Sequence, residues 1–137
     1  MFKWRDSFSC NIKAIDDQHK KLFELGAKLN DLVSQQDDFD HYDEIVDILD
    51  ELKEYTIYHF GYEEELLEKY SYEDVEEHKK EHKAFIDKIT AVLNKDIDED
   101  QREVKMDLVI FIADWIEKHI LHTDQKYKIY LNLKGVF

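Results

Sequence analysis

Apolar residues recur at intervals of three and four along most of the chain, which is the period of an amphipathic α-helix. Four such segments are separated by short polar stretches at 37–40, 71–74 and 96–100. The first helix is predicted over about 16–36 and the second over about 39–69, while the third carries Val75 to Val92 and the fourth Val104 to His119. Short turns favour antiparallel neighbours, so the pattern predicts an all-α, up-down-up-down four-helix bundle.

The segments outside these helices also carry signals. Asp16 or Asp17 is predicted to cap the first helix, and Ser71-Tyr72-Glu73-Asp74 resembles a capping box before the third. An N-terminal arm with scattered apolar side chains is expected to pack against the bundle; these are Phe2, Trp4, Phe8 and Ile12. The tail from Tyr127 to Phe137 is apolar enough to dock rather than to extend into solvent.

Composition agrees with a helical domain and narrows the function. The 137 residues include no Pro and only 3 Gly, and we expect a single domain over 1–137. A net charge of −14 argues against a nucleic-acid partner and against an anionic membrane surface. No signal segment opens the chain and no run of 18 apolar residues occurs, so a cytoplasmic location is expected. Cys10 is the only cysteine, which excludes an internal disulfide.

Ionisable side chains interrupt the apolar stripes of all four helices. His59 and Glu63 are four residues apart, as are His78 and His82, so each pair points in one direction from its helix. His19 lies on the stripe of the first helix and His119 on that of the fourth. A lone histidine at such a position is usually a hydrogen-bonded core residue. Burying all of them without a partner, however, would cost a few kcal/mol for each group.

The direction of each helix brings these side chains to the same end of the bundle. His19, His78 and His82 come early in the first and third helices, whereas the others come late in the second and fourth. Together with Asp124 they offer seven nitrogen and oxygen ligands, too many for one tetrahedral zinc and suited to two iron or manganese ions. The predicted metal ligands are His19, His59, Glu63, His78, His82, His119 and Asp124.

One spacing in this set is irregular. Asp124 follows His119 by five residues, which on a regular α-helix places the two about 140° apart. The pair therefore needs a local distortion of the helix or a long side-chain reach. His122, three residues after His119, remains a minority alternative as a ligand.

The pattern of these motifs resembles the hemerythrin family, and more closely its single-domain bacterial members. The matching motifs are Asp17-Gln18-His19, His59-Phe60-Gly61-Tyr62-Glu63-Glu64, His78-Lys79-Lys80-Glu81-His82 and Trp115-Ile116-Glu117-Lys118-His119-Ile120 through Asp124. The resemblance implies two non-haem irons as cofactor. His78, His82 and His119 would hold one iron and His19 and His59 the other. Glu63, Asp124 and an oxo or hydroxo group would bridge them, leaving one open position.

The resemblance implies reversible dioxygen binding, for carriage, storage or sensing, without catalysis. Phe60, Trp115 and Ile116 look like the family's oxygen-pocket wall, although plain core packing explains them equally well. The alternative is a di-iron redox enzyme acting on peroxide or nitric oxide, which an acid or tyrosine aimed into the pocket would favour. A metal-free helical interaction module is the third hypothesis. Dioxygen is the expected partner, and the chain is expected to be a monomer or a weak homo-oligomer.

Overall fold

The structure is a computed structural model that describes residues 2–35, 41–94 and 101–137. Several predictions fall outside the described residues: the polar turn at 37–40, the acidic turn at 96–100, the start of the second helix at Phe39 and the side chain of Val104.

Four long helices form the bundle, and a shorter helix follows them. They are α1 Lys13–Ser34, α2 Tyr42–Lys69, α3 Val75–Leu93 and α4 Gln101–Lys118, which continues through a π-helix at His119–Asp124 into α5 Gln125–Leu133. α1 packs against α2 and α4, and α2 packs against α3. No strand occurs in the described parts of the chain. The predicted helical bundle is confirmed, and the docked tail is itself mostly a helix.

The first helix begins earlier than predicted, and neither aspartate caps it. α1 starts at Lys13 after Ile12, which makes no side-chain capping hydrogen bond. Asp16 lies in the first turn, where its carboxylate accepts hydrogen bonds from the Ser9 hydroxyl at 2.5 Å and the Cys10 amide at 2.8 Å. Asp16 therefore anchors the N-terminal arm to the helix, because the arm folds back over the first turn.

The predicted capping box at 71–74 is also wrong. Asp74 is the residue before α3, and it makes no side-chain capping hydrogen bond. Ser71 has a left-handed φ of 56° and ends α2 instead. Its amide donates to the Glu68 carbonyl at 3.0 Å, and the Tyr72 amide donates to the Leu67 carbonyl at 2.9 Å. This pair of bonds is a Schellman motif, which satisfies the last carbonyl groups of a helix.

The N-terminal arm packs on the bundle as expected. Trp4, Phe8 and Phe23 form a triangle of rings with centroids 5.0–5.9 Å apart. Phe2 lies over Gly26 of α1 so closely that a Cβ atom there would be 2.3 Å from the Phe2 ring. A glycine is required at this point of α1 because the aromatic ring occupies the space of a side chain.

Two buried apolar clusters fill the interior. The larger one lies along the four helices and includes Leu49, Phe60 and Phe85. The smaller one joins the arm, the α2–α3 turn and α5, and includes Leu67 and Tyr127. Along α2 the predicted ligand pair His59 and Glu63 falls between the two clusters. None of the helices in the described residues is long and apolar enough to cross a bilayer.

Candidate metal centre

All seven predicted ligands lie together in the interior, at the end of the bundle covered by α5. Each is at most 5% exposed. α1 supplies His19, α2 supplies His59 and Glu63, and α3 supplies His78 and His82. The π-helix supplies His119 and Asp124. The structure thus brings together every residue of the predicted set, while the metal-ligand role itself stays a prediction.

The Glu63 carboxylate stands between two groups of histidines. Its Oε1 atom contacts Nε2 of His78 and lies 3.2 Å from Nε2 of His82. Its Oε2 atom lies 3.2 Å from Nε2 of His59 and 3.7 Å from Nε2 of His19. Each oxygen of the Glu63 carboxylate therefore faces a different pair of imidazoles.

Asp124 repeats this division from the opposite side. Its Oδ1 atom lies 3.1 Å from Nε2 of both His78 and His119, and its Oδ2 atom lies 3.1 Å from Nε2 of His19. The centre consequently has a three-histidine side, formed by His78, His82 and His119, and a two-histidine side, formed by His19 and His59. Both carboxylates span the two sides.

A π-helix resolves the irregular spacing of His119 and Asp124. Residues 119–124 follow the wider π-helical path, in which hydrogen bonds join residues five apart. The two side chains therefore meet instead of pointing about 140° apart. His122 is exposed in the same segment, so the structure does not bring this alternative ligand into the centre.

The outward-facing nitrogens of three imidazoles have oxygen partners. His59 Nδ1 donates to Gln18 at 2.6 Å, His82 Nδ1 to Glu64 at 2.9 Å, and His119 Nδ1 to Glu81 at 2.8 Å. An imidazole that donates through Nδ1 presents a free Nε2 lone pair, which is how histidines are oriented toward metals.

Sequence reasoning did not assign these three partners a role. The available signal was their position, because each one directly adjoins a predicted ligand in the chain: Gln18 precedes His19, Glu64 follows Glu63, and Glu81 precedes His82. Each partner, however, bonds the imidazole of a different helix. Only the packing of the helices reveals that pairing.

Tyr127 is a further neighbour of the centre that the sequence did not place. Its fully buried hydroxyl donates to Glu63 Oε2 at 3.1 Å. Burial, followed by the charges of Glu63 and Asp124, raises the pKa of this phenol well above its usual value. Tyr127 therefore remains a hydrogen-bond donor that orients the shared carboxylate.

The centre contains two buried carboxylates that are ionised, so nearby positive charge stabilises it. Burial opposes ionisation of Glu63 and Asp124, yet the surrounding imidazoles outweigh it and hold both carboxyl pKa values well below normal. Burial likewise opposes protonation of His78 and His119, but the two carboxylates raise their pKa values to about 10 and about 9. Burial lowers the pKa of His59, which leaves that imidazole neutral.

The donor set fits a metal pair. Within the described residues, four buried polar atoms make no well-aligned hydrogen bond, although charged or imidazole partners lie 3.1 Å from three of them: both ring nitrogens of His19 and both carboxylate oxygens of Asp124. Nε2 of His82 also faces Nε2 of His119 at 3.1 Å, although both rings direct Nδ1 at carboxylates. Two facing lone pairs repel unless a proton or cation lies between them. Coordination would satisfy each of these atoms except Nδ1 of His19, which points away from the carboxylates, and groups on both sides of the centre could hold an ion.

A small cavity adjoins the centre, lined by both histidines of the two-histidine side and by His119 and Asp124. It offers ≈ 10 Å³ to the centre of a water-sized sphere, which is room for about one small molecule. The predicted pocket residues Phe60, Trp115 and Ile116 all line it. Sequence reasoning missed four further lining residues, Leu22, Thr56, Phe85 and Ile120. The Thr56 hydroxyl donates to the Leu52 carbonyl at 2.6 Å, so its proton is already engaged.

Comparisons with known proteins agree with this geometry. Residues 10–131 match the family model of the hemerythrin HHE cation binding domain. The chain is 41% identical to a bacteriohemerythrin of Clostridium acetobutylicum, over 93% of this chain and 98% of that protein. It is 34% identical to a bacteriohemerythrin of Methylococcus capsulatus, over 88% of each chain.

A solved structure shares the fold. The crystal structure of a hemerythrin point mutant superposes with a TM-score of 0.78 at 28% identity, covering 92% of this chain and 93% of that one. The segment 10–131 that matches the family model contains all seven clustered side chains. This chain belongs to the hemerythrin family.

Proposed function

We propose that this protein binds dioxygen reversibly at a non-haem di-iron centre. The observation that carries the proposal is the division of the centre by its two carboxylates into a three-histidine and a two-histidine side. Family membership supports the same function, since the matched domain is a cation binding domain. The unequal number of imidazoles gives the two metal positions different numbers of protein ligands.

His78, His82 and His119 would hold one iron, and His19 and His59 the other. Glu63 and Asp124 would bridge the two, together with an oxo or hydroxo group. With three imidazoles for the first iron and two for the second, the second iron would have one protein ligand fewer and would keep a position for dioxygen. When bound, the ferrous pair supplies one electron per ion to dioxygen and recovers both on release. Both histidines of the two-histidine side line the cavity, whereas only His119 of the three-histidine side does, and this supports placing the open position next to His19 and His59.

The protein's own groups keep the cavity dry and poor in protons. Outside the seven clustered side chains, its described lining residues carry two polar groups: the Thr56 hydroxyl, whose proton is bonded to Leu52, and the Trp115 indole N–H, which does not ionise. Tyr58 and Tyr62, which adjoin His59 and Glu63 in the chain and could otherwise donate protons, are 57% and 37% exposed and do not line the cavity. Tyr127 bonds Glu63 and does not line the cavity. This lining favours binding over the alternative redox enzyme, whose turnover of peroxide or nitric oxide requires protons.

An optical titration of the purified protein tests the proposal. We expect about two irons per chain and a visible band that appears on exposing the reduced protein to air and disappears under vacuum. His59→Ala should abolish the band, while exposed His122→Ala should preserve it. Steady consumption of dioxygen with a reductant would instead indicate the enzyme. Failure to bind iron would refute both.

The whole chain is proposed to act as one domain, because the arm, α2 and α5 share a buried cluster. A cytoplasmic location and a monomeric or weakly associated state remain predictions.

A further inference from the structure

We propose that Glu81 is a positioning residue whose carboxylate holds the π-helix at 119–124 in the conformation that joins His119 to Asp124. The inference depends on the proposed function only where iron is concerned. The π-helix itself is a property of the chain.

The π-helix requires a stabilising contact. π-helical turns are rare and occur mostly as single insertions in α-helices, often at functional sites. A regular α-helix through this segment would turn Asp124 about 140° from His119. The 3.1 Å approach of Asp124 Oδ1 to His119 Nε2 would then be lost.

Glu81 bonds the π-helix at two places. Its Oε2 atom accepts a hydrogen bond from His119 Nδ1 at 2.8 Å and another from the Thr123 hydroxyl at 2.7 Å. The two donors are the first and the fifth residue of the six-residue π-helix. Because α3 carries the acceptor, one oxygen fixes both ends of the distorted turn to a neighbouring helix.

The other outer carboxylate provides a contrast. Glu64 accepts a hydrogen bond from His82 Nδ1 at 2.9 Å and orients that imidazole, but α2 and α3 carry this pair and neither belongs to the π-helix. Glu81 orients the His119 imidazole and also accepts a hydrogen bond from the Thr123 hydroxyl in the π-helix. Without that acceptor, the Thr123 hydroxyl would bond a carbonyl of its own helix, as threonines in regular helices do.

Hydrogen exchange of the metal-free protein tests this role. Thr123→Val removes the hydroxyl, keeps the side-chain shape and leaves Glu81 bonded to His119. We expect the amides of 119–124 to exchange about tenfold faster, since the lost hydrogen bond is to a charged group. Thr123→Ser should restore the slow exchange. Glu64→Gln is the matched control, because it weakens the contact of His82, which faces His119 but does not bond Thr123, so exchange at 119–124 should change much less than in Thr123→Val.

A second variant and an iron measurement complete the test. Glu81→Gln keeps an acceptor oxygen without its charge, so its exchange rates should lie between those of the wild type and Thr123→Val. Thr123→Val should also lose iron faster on dialysis against a chelator, and Thr123→Ser should not.

Wild-type exchange at 119–124 in both Thr123→Val and Glu81→Gln would overturn the inference. So would an equal acceleration in Glu64→Gln. If no protein of the series bound iron, the proposed function would fail while the exchange comparison kept its meaning.

Discussion

At the scale of single residues, the two ring nitrogens of each imidazole in the centre face different surroundings. The inward Nε2 atoms face Glu63 and Asp124, and three of the outward Nδ1 atoms donate to oxygen. A hydrogen bond at Nδ1 fixes the tautomer and the ring orientation. The centre is therefore arranged before any ion arrives, which reduces the cost of ordering its ligands.

Ile116 gives a residue-scale prediction about the cavity. It is 2% exposed and lines the cavity beside the two-histidine side. Ile116→Ala would open this wall to water, so autoxidation of the dioxygen-bound protein should accelerate by about tenfold. The measurement is the decay of the visible band in air. Ile110→Ala removes a 49% exposed side chain from the same helix and should leave the decay unchanged. Equal rates for both variants would refute the pocket assignment.

The histidines also predict how the stability of the metal-free protein depends on pH. The pKa values of His78 and His119, about 10 and about 9, exceed the value of 6.5 for the unfolded chain. Their protonation thus stabilises the fold fully below about pH 6.5, and this contribution is lost as pH rises through 9 to 10. We expect the free energy of unfolding to fall by about 2 kcal/mol or more between pH 7 and pH 10.

Urea denaturation of the chelated protein at several pH values measures this effect. His78→Gln should flatten the profile, and the exposed His122→Gln should retain it. A profile that rises toward pH 10 would contradict the charge assignment.

At the scale of elements, the arm and the helix ends depend on individual backbone positions. The arm covers α1 only because Gly26 leaves room for the ring of Phe2. α2 ends only because Ser71 adopts a left-handed conformation. Both features are local, yet each decides where a whole segment runs.

Two glycines make a matched pair for testing the arm. Gly26→Ala places a methyl group 2.3 Å from the Phe2 ring, so the arm must shift and the protein should lose about 1–3 kcal/mol of stability. Gly61→Ala adds the same methyl group to α2, where no atom beyond the chain neighbours and the nearby backbone of α2 lies within 4 Å. It should gain up to about 1 kcal/mol, because alanine favours a helix. Chemical denaturation measures both, and equal effects would contradict the proposed packing of Phe2.

The Schellman motif predicts a stabilising substitution. Ser71→Gly removes the strain of a left-handed φ of 56° at a residue with a Cβ, and should raise stability by about 0.5–1 kcal/mol. Ser34→Gly makes the same change at the last residue of α1, which has no left-handed φ, and should not raise stability. The shift of the thermal midpoint distinguishes them. A loss in Ser71→Gly would mean that the serine side chain stabilises the turn.

At the scale of the whole molecule, the centre joins all four long helices at one end of the bundle. Two buried carboxylates and five imidazoles lie between two apolar clusters. Such a polar interior is costly when its groups lack partners. The apolar clusters therefore stabilise the bundle. The charges of the centre determine the stability of the end at which the seven side chains lie.

Removal of iron should destabilise the molecule as a unit. We expect the chelated protein to melt about 10 °C lower than the iron-loaded one, because a tightly bound ion stabilises only the folded state. Adding ferrous iron without air should restore the higher midpoint. Identical melting curves with and without iron would show that the cluster does not hold the metal.

The sequence alone predicted the bundle and the membership of the centre. The helical period marked the four long helices, and the early or late position of each ionisable residue placed all seven at one end. These inferences succeed because helical geometry and chain direction are local properties that the order of residues encodes. The same local signals predicted helix caps at Asp16 or Asp17 and at Ser71 that the structure does not form. Asp16 instead bonds the N-terminal arm, and Ser71 ends α2.

Only the tertiary structure decided how the seven side chains divide and what orients them. The spacing of His119 and Asp124 required a distortion but could not define it, because a π-helix depends on contacts with another helix. Gln18, Glu64 and Glu81 each adjoin one predicted ligand in the chain and bond a different one in space. Helix packing sets these pairings, and they have no period in the sequence. The sequence thus identifies which residues form the centre, because helical periodicity is local. The packing of the helices decides which of these residues contact one another.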